Sequence, residues 1–299
     1  MIPDGHRLSY VLITPARNEE LYIEKTIQSV LHQSVLPKKW VIVSDGSTDS
    51  TDDIVKRYLP GLPWLEFIRM PERSHRHFAA KVHCFNAGYA RLHDVQYDII
   101  GNLDADTSFD ETYFAFLLDK FDALPDLGCA GTPFVEDDRR MYNYDYTNIM
   151  HVSGACQLFR RACFEAIGGF LPIKAGGVDW TAVTTARMKG WKTRTFMEMT
   201  YVHHRKIGTG ISSARKTWFK QGRKDYLLGG HPLWQVFRSL YQMSKRPYIM
   251  GGSLLMMGYV WAFLTRVKRP VSRELMSFHR REQIQRLKSM VTRGFKRGF

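Results

Sequence analysis

Tyr97-Asp98-Ile99-Ile100-Gly101-Asn102-Leu103-Asp104-Ala105-Asp106 decides how this chain of 299 residues folds. Its first seven residues form a β-rich apolar run that ends in two aspartates one residue apart. The pattern predicts a strand whose carboxyl end opens into an acidic loop. Working outward, Tyr10-Val11-Leu12-Ile13-Thr14 predicts a strand closed by Pro15. Trp40-Val41-Ile42-Val43 predicts a second, stopped by Ser44-Asp45-Gly46-Ser47, and Leu65-Glu66-Phe67-Ile68 predicts a third. Between them, helical patterns run over Glu20–Leu31, Asp49–Leu59 and Ala79–Arg91, and beyond them Phe109–Leu124 reads as helix and Gly128–Val135 as extended. Strands alternating with helices predict an α/β fold with a mostly parallel sheet. In open sheets of this kind ligands bind at the carboxyl ends of the strands, where Asp104 and Asp106 fall.

With 44% hydrophobic and 24% charged residues, the composition excludes a disordered, collagen-like or disulfide-framework protein. Cys84, Cys129, Cys156 and Cys163 form no CxxC pair and no zinc-site spacing, which fits a reducing compartment. Met1 to Tyr10 has no long apolar core, so no cleaved signal peptide is expected and the location is cytoplasmic. The formal net charge of +14 is unevenly placed: residues 1–199 carry 22 basic and 26 acidic side chains, whereas residues 200–299 carry 21 and three. A net −4 therefore precedes a net +18, and the basic end seeks an anionic partner.

Three acidic loops follow predicted strands: Pro15-Ala16-Arg17-Asn18-Glu19, Ser44-Asp45-Gly46-Ser47-Thr48-Asp49 and Asp104-Ala105-Asp106. If those strands are adjacent and parallel, the loops converge into one carboxylate-lined pocket. Asp-x-Asp puts two hard oxygen ligands on one loop, which suits Mg²⁺ or Mn²⁺ bridged to a diphosphate. An isolated Asp-rich loop more often supplies turn hydrogen bonds; three at these spacings favour the metal pocket. No GxGxxG follows the first strand and no GxxxxGK[ST] occurs, so neither hydride transfer nor P-loop chemistry is supported.

The ordered set Pro15–Glu19, Asp45–Asp49, Lys81 with Asn86-Ala87-Gly88, Asp104-Ala105-Asp106, Gly154 before Phe159-Arg160-Arg161, Gly168-Gly169-Phe170 and Asp179 resembles the family-2 glycosyltransferases, over roughly residues 8–210. The resemblance implies the GT-A fold, a Rossmann-like, mostly parallel sheet flanked by helices, and the bacterial surface or exopolysaccharide type of enzyme. It implies that Pro15, Ala16 and Glu19 form the first nucleotide-contacting loop, that Asp45 reads the base edge, and that Lys81 approaches base or phosphates. It places Asp104 and Ala105 at the ribose, Asp104 and Asp106 on a divalent ion, and Asp179 as the base that deprotonates an acceptor hydroxyl in an inverting transfer. Val178 stands where Glu is common, and Asp179 is alternatively the cap of a helix over 180–189.

His203 and His204 follow the strand-like Thr200-Tyr201-Val202, and the resemblance implies that a histidine near here is an additional metal ligand, the alternative being a structural or surface histidine; neighbouring strand residues face opposite ways, so only one of the two is expected to serve. His203 is slightly better placed. Arg205, Lys206 and Arg215 are further candidates for the diphosphate.

A boundary near 230 separates a glycosyltransferase domain, 1–230, from a basic helical extension, 231–299. Residues 211–246 interleave Lys and Arg with Trp, Phe and Tyr, which suits a membrane interface. Residues 247–265 carry no charge and several glycines; the run could span, re-enter, lie in the interface or be buried, and basic flanks on both sides favour interfacial embedding. Ser272–Phe299 reads as a basic amphipathic helix. The expected partners are a UDP- or GDP-sugar donor, a glycan or lipid-linked glycan acceptor and an anionic membrane surface, at the inner face of the cell membrane. Transfer to a polyprenyl phosphate is the alternative within enzymology. A basic nucleic-acid-binding protein is the alternative outside it, and the acidic pocket argues for no nucleic acid.

Overall fold

The computed structural model describes residues 8–72, 78–136, 149–205 and 214–296. Lys206 and the last three residues of the predicted C-terminal helix lie outside the described residues. The chain divides into two compact units, Met1–Lys206 and Ile207–Phe299.

In the first unit, strands β1 (Tyr10–Ala16), β2 (Lys39–Ser44), β3 (Leu65–Arg69) and β4 (Ile99–Leu103) lie parallel in the order β3-β2-β1-β4. The sheet continues through β8 (Cys156–Arg160), β6 (Leu127–Gly131) and β9 (Lys192–Thr195), with β8 antiparallel to both its neighbours. The apolar strands are nearly continuous because both faces are covered. On one face Tyr10, Leu12, Trp40 and Ile42 pack against helices α1 (Ile23–Leu31), α2 (Thr51–Tyr58) and α4 (Tyr113–Ala123). On the other, Val11, Ile13, Val41 and Val43 meet α3 (Phe78–Tyr89), α5 (Arg161–Ala166) and α6 (Val178–Met188). Successive strand residues thus feed two different cores, the consequence of the two-residue period. All four cysteines are buried and free, and burial pushes the Cys156 thiol up to about 12.

A three-stranded sheet, β5 (Thr107–Ser108), β10 (Tyr201–His203) and β7 (Phe134–Glu136), lies beyond the Asp-x-Asp loop. The sequence reading joined β6 and β7 into one extended stretch; Thr132 and Pro133 separate them, and β7 changes sheets to pair with β10.

The second unit consists, among the described residues, of α7 (Ala214–Leu227), α8 (Pro232–Met243), α9 (Ile249–Leu264) and α10 (Arg273–Lys296). Helix α7 precedes the compositional boundary at 230, yet it packs in this unit because glycines let α7 and α9 approach backbone to backbone. A Cβ on Gly222 would collide with the carbonyl of Leu255, and one on Gly258 with the carbonyl of Phe219. Asp225 and Arg238 join α7 to α8 through an ion pair of 2.7 Å. Helix α9 holds most of the uncharged run, and no helix among the described residues is long and apolar enough to cross a membrane. Gln283 of α10 is buried and accepts a hydrogen bond from the His231 backbone N–H at 2.7 Å, so α10 is tied into the unit.

Replacing Gly258 by Ala drives α9 away from α7 and is expected to destabilise the helical unit by roughly 3 kcal/mol, the scale of overpacking in a rigid contact. Urea unfolding followed by circular dichroism reads the change.

Candidate active site

Strands β2, β1 and β4 are adjacent and parallel, so the three acidic loops converge at one sheet edge. The first two loops are laced together. Asn18 N–H donates to Ser47 Oγ at 3.2 Å, Thr48 N–H to Asn18 Oδ1 at 2.9 Å, Glu19 N–H to Thr51 Oγ1 at 2.7 Å and Ser50 N–H to Glu20 Oε2 at 3.1 Å. Gly46 has φ +63°, and a Cβ there would lie 2.6 Å from Glu72 Cα, so only glycine suits this turn. Pro15 and Ala16 end β1 opposite Val43 and Ser44. Asp45 is buried and pairs with Arg17 at 3.3 Å.

The third loop holds the acidic centre. One ligand atom each from Asp104, Asp106 and His203 lies within 4.8 Å of the others. Two carboxylates and an imidazole are the donor set that Mg²⁺ or Mn²⁺ accepts. The surroundings orient these donors: His203 Nδ1–H donates to the carbonyl of Arg205, which leaves Nε2 facing Asp106 Oδ1 at 3.7 Å. Burial pushes the Asp104 carboxyl above the ordinary carboxylate range, the Lys81 ammonium bonded to it pulls it back, and neighbouring Asp106 adds to the rise. Arg205 binds the Glu19 carboxylate, stands 3.6 Å from Asp106 and lies over the Tyr22 ring at 5.8 Å. Two cations therefore offset the carboxylates while the triad stays together.

Because β8 runs against β4, its beginning meets the end of β4 and brings Gly154 into the site. Asp104 N–H donates to the Ala155 carbonyl at 2.8 Å, and the Gly154 carbonyl accepts from Asn102 Nδ2 at 2.7 Å and Lys81 Nζ at 3.2 Å. Asp179 packs on the other flank of Gly154, where an added Cβ would lie 2.8 Å from Asp179 Cβ. Asp179 does not cap its helix: α6 begins at Val178 with Gly177 at the N-cap, φ +88°, which puts Asp179 in the first turn.

The structure thus gathers Asp104, Asp106, His203, Lys81 and Glu19 at one edge, with Asp179 across Gly154. Lys81 meets the Asp104 carboxylate of the Asp-x-Asp loop. Ala105 is buried and held through its carbonyl by Thr26 Oγ1 at 2.9 Å. His204 is outside the triad: it follows the last residue of β10, its Nε2 contacts Ser108 Oγ at 2.9 Å and its ring stacks near Tyr22. His151 escaped the sequence reading, although its Nε2 stands 3.9 Å from Asp179 Oδ2. It is held by β9, whose Thr195 Oγ1 donates to the His151 carbonyl at 2.5 Å, a tertiary contact that no local pattern signals.

The mostly parallel α/β sheet flanked by helices, with carboxylates along one edge, has the GT-A fold. The chain belongs to glycosyl transferase family 2, whose family model matches residues 11–168. Among curated proteins it is 22% identical over 198 residues to a poly-beta-1,6-N-acetyl-D-glucosamine synthase of Staphylococcus epidermidis, covering 60% of this chain and 44% of that protein. The corresponding synthase of Staphylococcus aureus strain COL is 27% identical over 121 residues, or 40% of this chain and 27% of that protein. The chain spans less than half the length of these relatives. In fold it is similar to the mannosyltransferase PcManGT of Pyrobaculum calidifontis in complex with GDP-Man and Mn²⁺, with TM-score 0.57, 21% identity, 87% of this chain and 73% of that one. It is also similar to S. aureus TarS 1–349 in complex with UDP-GlcNAc, with TM-score 0.55, 13% identity, 91% of this chain and 78% of that one.

Replacing His203 by Ala is expected to weaken Mn²⁺ binding by at least about tenfold, whereas His204→Ala leaves it unchanged; titration calorimetry reads both. Since a proton competes with the cation for Asp104, whose carboxyl is held above its usual range, affinity should fall as pH falls, earlier than for an ordinary aspartate.

Proposed function

We propose that the protein is an inverting, divalent-cation-dependent glycosyltransferase. It moves a sugar from a nucleoside diphosphate to a hydroxyl of a glycan acceptor, lipid-linked and presented at the inner face of the cell membrane, in polysaccharide synthesis. The observation that carries this reading is the pairing of the Asp104–Asp106–His203 triad with a helix-borne carboxylate, Asp179, on the two flanks of Gly154.

In this reading Pro15, Ala16, Glu19 and Asp45 seat the nucleotide, Asp104 and Ala105 face its ribose, and the triad holds Mg²⁺ or Mn²⁺. The ion supplies positive charge to the departing diphosphate. Lys81 and Arg205 already stand beside the carboxylates and add cationic charge at the same edge. Asp179 takes the proton of the acceptor hydroxyl as its oxygen forms the new bond to the anomeric carbon and the bond to the diphosphate oxygen breaks. A single displacement of this kind inverts the anomeric configuration. Support for the donor class comes from fold relatives holding GDP-Man or UDP-GlcNAc, and support for the polymer class from the poly-beta-1,6-N-acetyl-D-glucosamine synthases.

Asp179→Asn is expected to lower turnover by about a thousandfold or more while leaving binding of the donor nucleotide intact, since general-base removal costs about 10² to 10⁴ in rate. Turnover near the wild-type rate, measured with UDP- and GDP-sugars and Mn²⁺, would remove Asp179 from the role of base. A product that retains the donor's anomeric configuration would refute the single displacement.

A further inference from the structure

Helix α7 starts against its own dipole. Its first turn contains no acidic residue and carries Arg215 and Lys216, with Lys220 one turn on from Lys216. The positive end of a helix favours anions, and like charges at i and i+4 repel. All three cations are exposed, and among the described residues none is paired with a carboxylate. Together with Phe219 of α7 and Leu254 of α9 they line a cleft of about 270 Å³. The lining is apolar, the stems of the three cations forming it with Phe219 and Leu254, while the cationic residues themselves are exposed to an anionic partner.

The floor continues out of the cleft. From Leu254, the positions Met257, Trp261 and Leu264 follow along α9 at helical spacing, and they are 57%, 58% and 68% exposed. The opposite side of α9 presses Gly258 and Ala262 into the unit, so this stripe has to face outward. Exposed Arg266 and Lys268 stand at its far end. Cations at both ends of an apolar stripe, in the last third of the chain carrying +18, repel a second copy of the same surface and complement an anionic leaflet.

We propose that the α7–α9 pair binds anionic phospholipid of the bilayer, with the lipid phosphate among Arg215, Lys216 and Lys220 and the acyl region along Leu254, Met257, Trp261 and Leu264. The assignment rests on the membrane-facing part of the proposed function and gives it an address: the helix pair that sets the embedding depth is α7–α9, while α10 is packed through Leu275 and Gln283.

Flotation of the full chain with vesicles of phosphatidylcholine, and with vesicles of equimolar phosphatidylcholine and phosphatidylglycerol, tests it. The wild type should float with the anionic vesicles alone. R215Q/K216Q/K220Q should weaken that binding about a hundredfold, because each cation near a leaflet contributes a factor of about five. M257S/W261S/L264S should bind weakly and be released by salt. Quenching by acyl-brominated phosphatidylglycerol should fall in W261F relative to wild type, a readout independent of any folding defect in the triple variants. Unchanged binding in R215Q/K216Q/K220Q overturns the proposal. So does release of the protein by inorganic phosphate at the phosphate concentration of the lipid, which would make the cleft a reader of free phosphate. Dimers in sedimentation velocity that M257S/W261S/L264S dissociates would also overturn it, by showing that a second copy covers the stripe. Vesicle binding is read without turnover. A chain that floats but glycosylates no lipid-linked acceptor refutes the acceptor reading alone, and one that glycosylates such acceptors without floating refutes this one alone.

Discussion

The carbonyl oxygen of Gly154 accepts Asn102 Nδ2 at 2.7 Å and Lys81 Nζ at 3.2 Å, while its α-carbon lies where no larger residue leaves room for Asp179. One residue therefore touches the strand that carries the Asp-x-Asp loop, the lysine that balances it and the helix that supplies the opposing carboxylate. This contact depends on the direction of β8. Were β8 parallel to β4, its beginning would lie at the far edge of the sheet, and nothing would bring the start of α6 toward Asp104. The antiparallel insertion turns a row of strand ends into a two-sided cleft.

Charge is balanced locally within that cleft. Asp104 and Asp106 on one loop would repel each other, and burial raises the cost of keeping both ionised. Lys81 from α3 and Arg205 from the segment after β10 approach from different sides and stabilise the pair of carboxylates. The backbone of the loop that carries the carboxylates is fixed by the Asp104 N–H bond to the Ala155 carbonyl.

Much of this was legible in the sequence because the central strands are buried on both faces. Val11, Ile13, Val41 and Ile100 announce strands by composition, and the acidic residues after them announce loops. The choice between His203 and His204 was not legible: alternation says that only one faces the carboxylates, but the pairing of β10 with β5 decides which. Strand β8 was missed because Cys156-Gln157-Leu158-Phe159-Arg160 mixes polar and apolar residues that are all covered by partners distant in the chain. His151 was invisible because its contact with Asp179 depends on β9, and the role of Gly222 and Gly258 in joining α7 to α9 emerges only when two helices meet.

The cross-stitching between the loops after β1 and β2 has a thermodynamic consequence. The backbone N–H groups of Asn18, Glu19, Thr48 and Ser50 donate across to the side chains of Ser47, Thr51, Asn18 and Glu20. The conformational freedom of both loops is lost when the chain folds, not when a ligand arrives. Under the proposed function, a nucleotide docking there would meet a surface already in shape, and the free energy of its contacts would be left to discriminate between bases and sugars instead of ordering the chain.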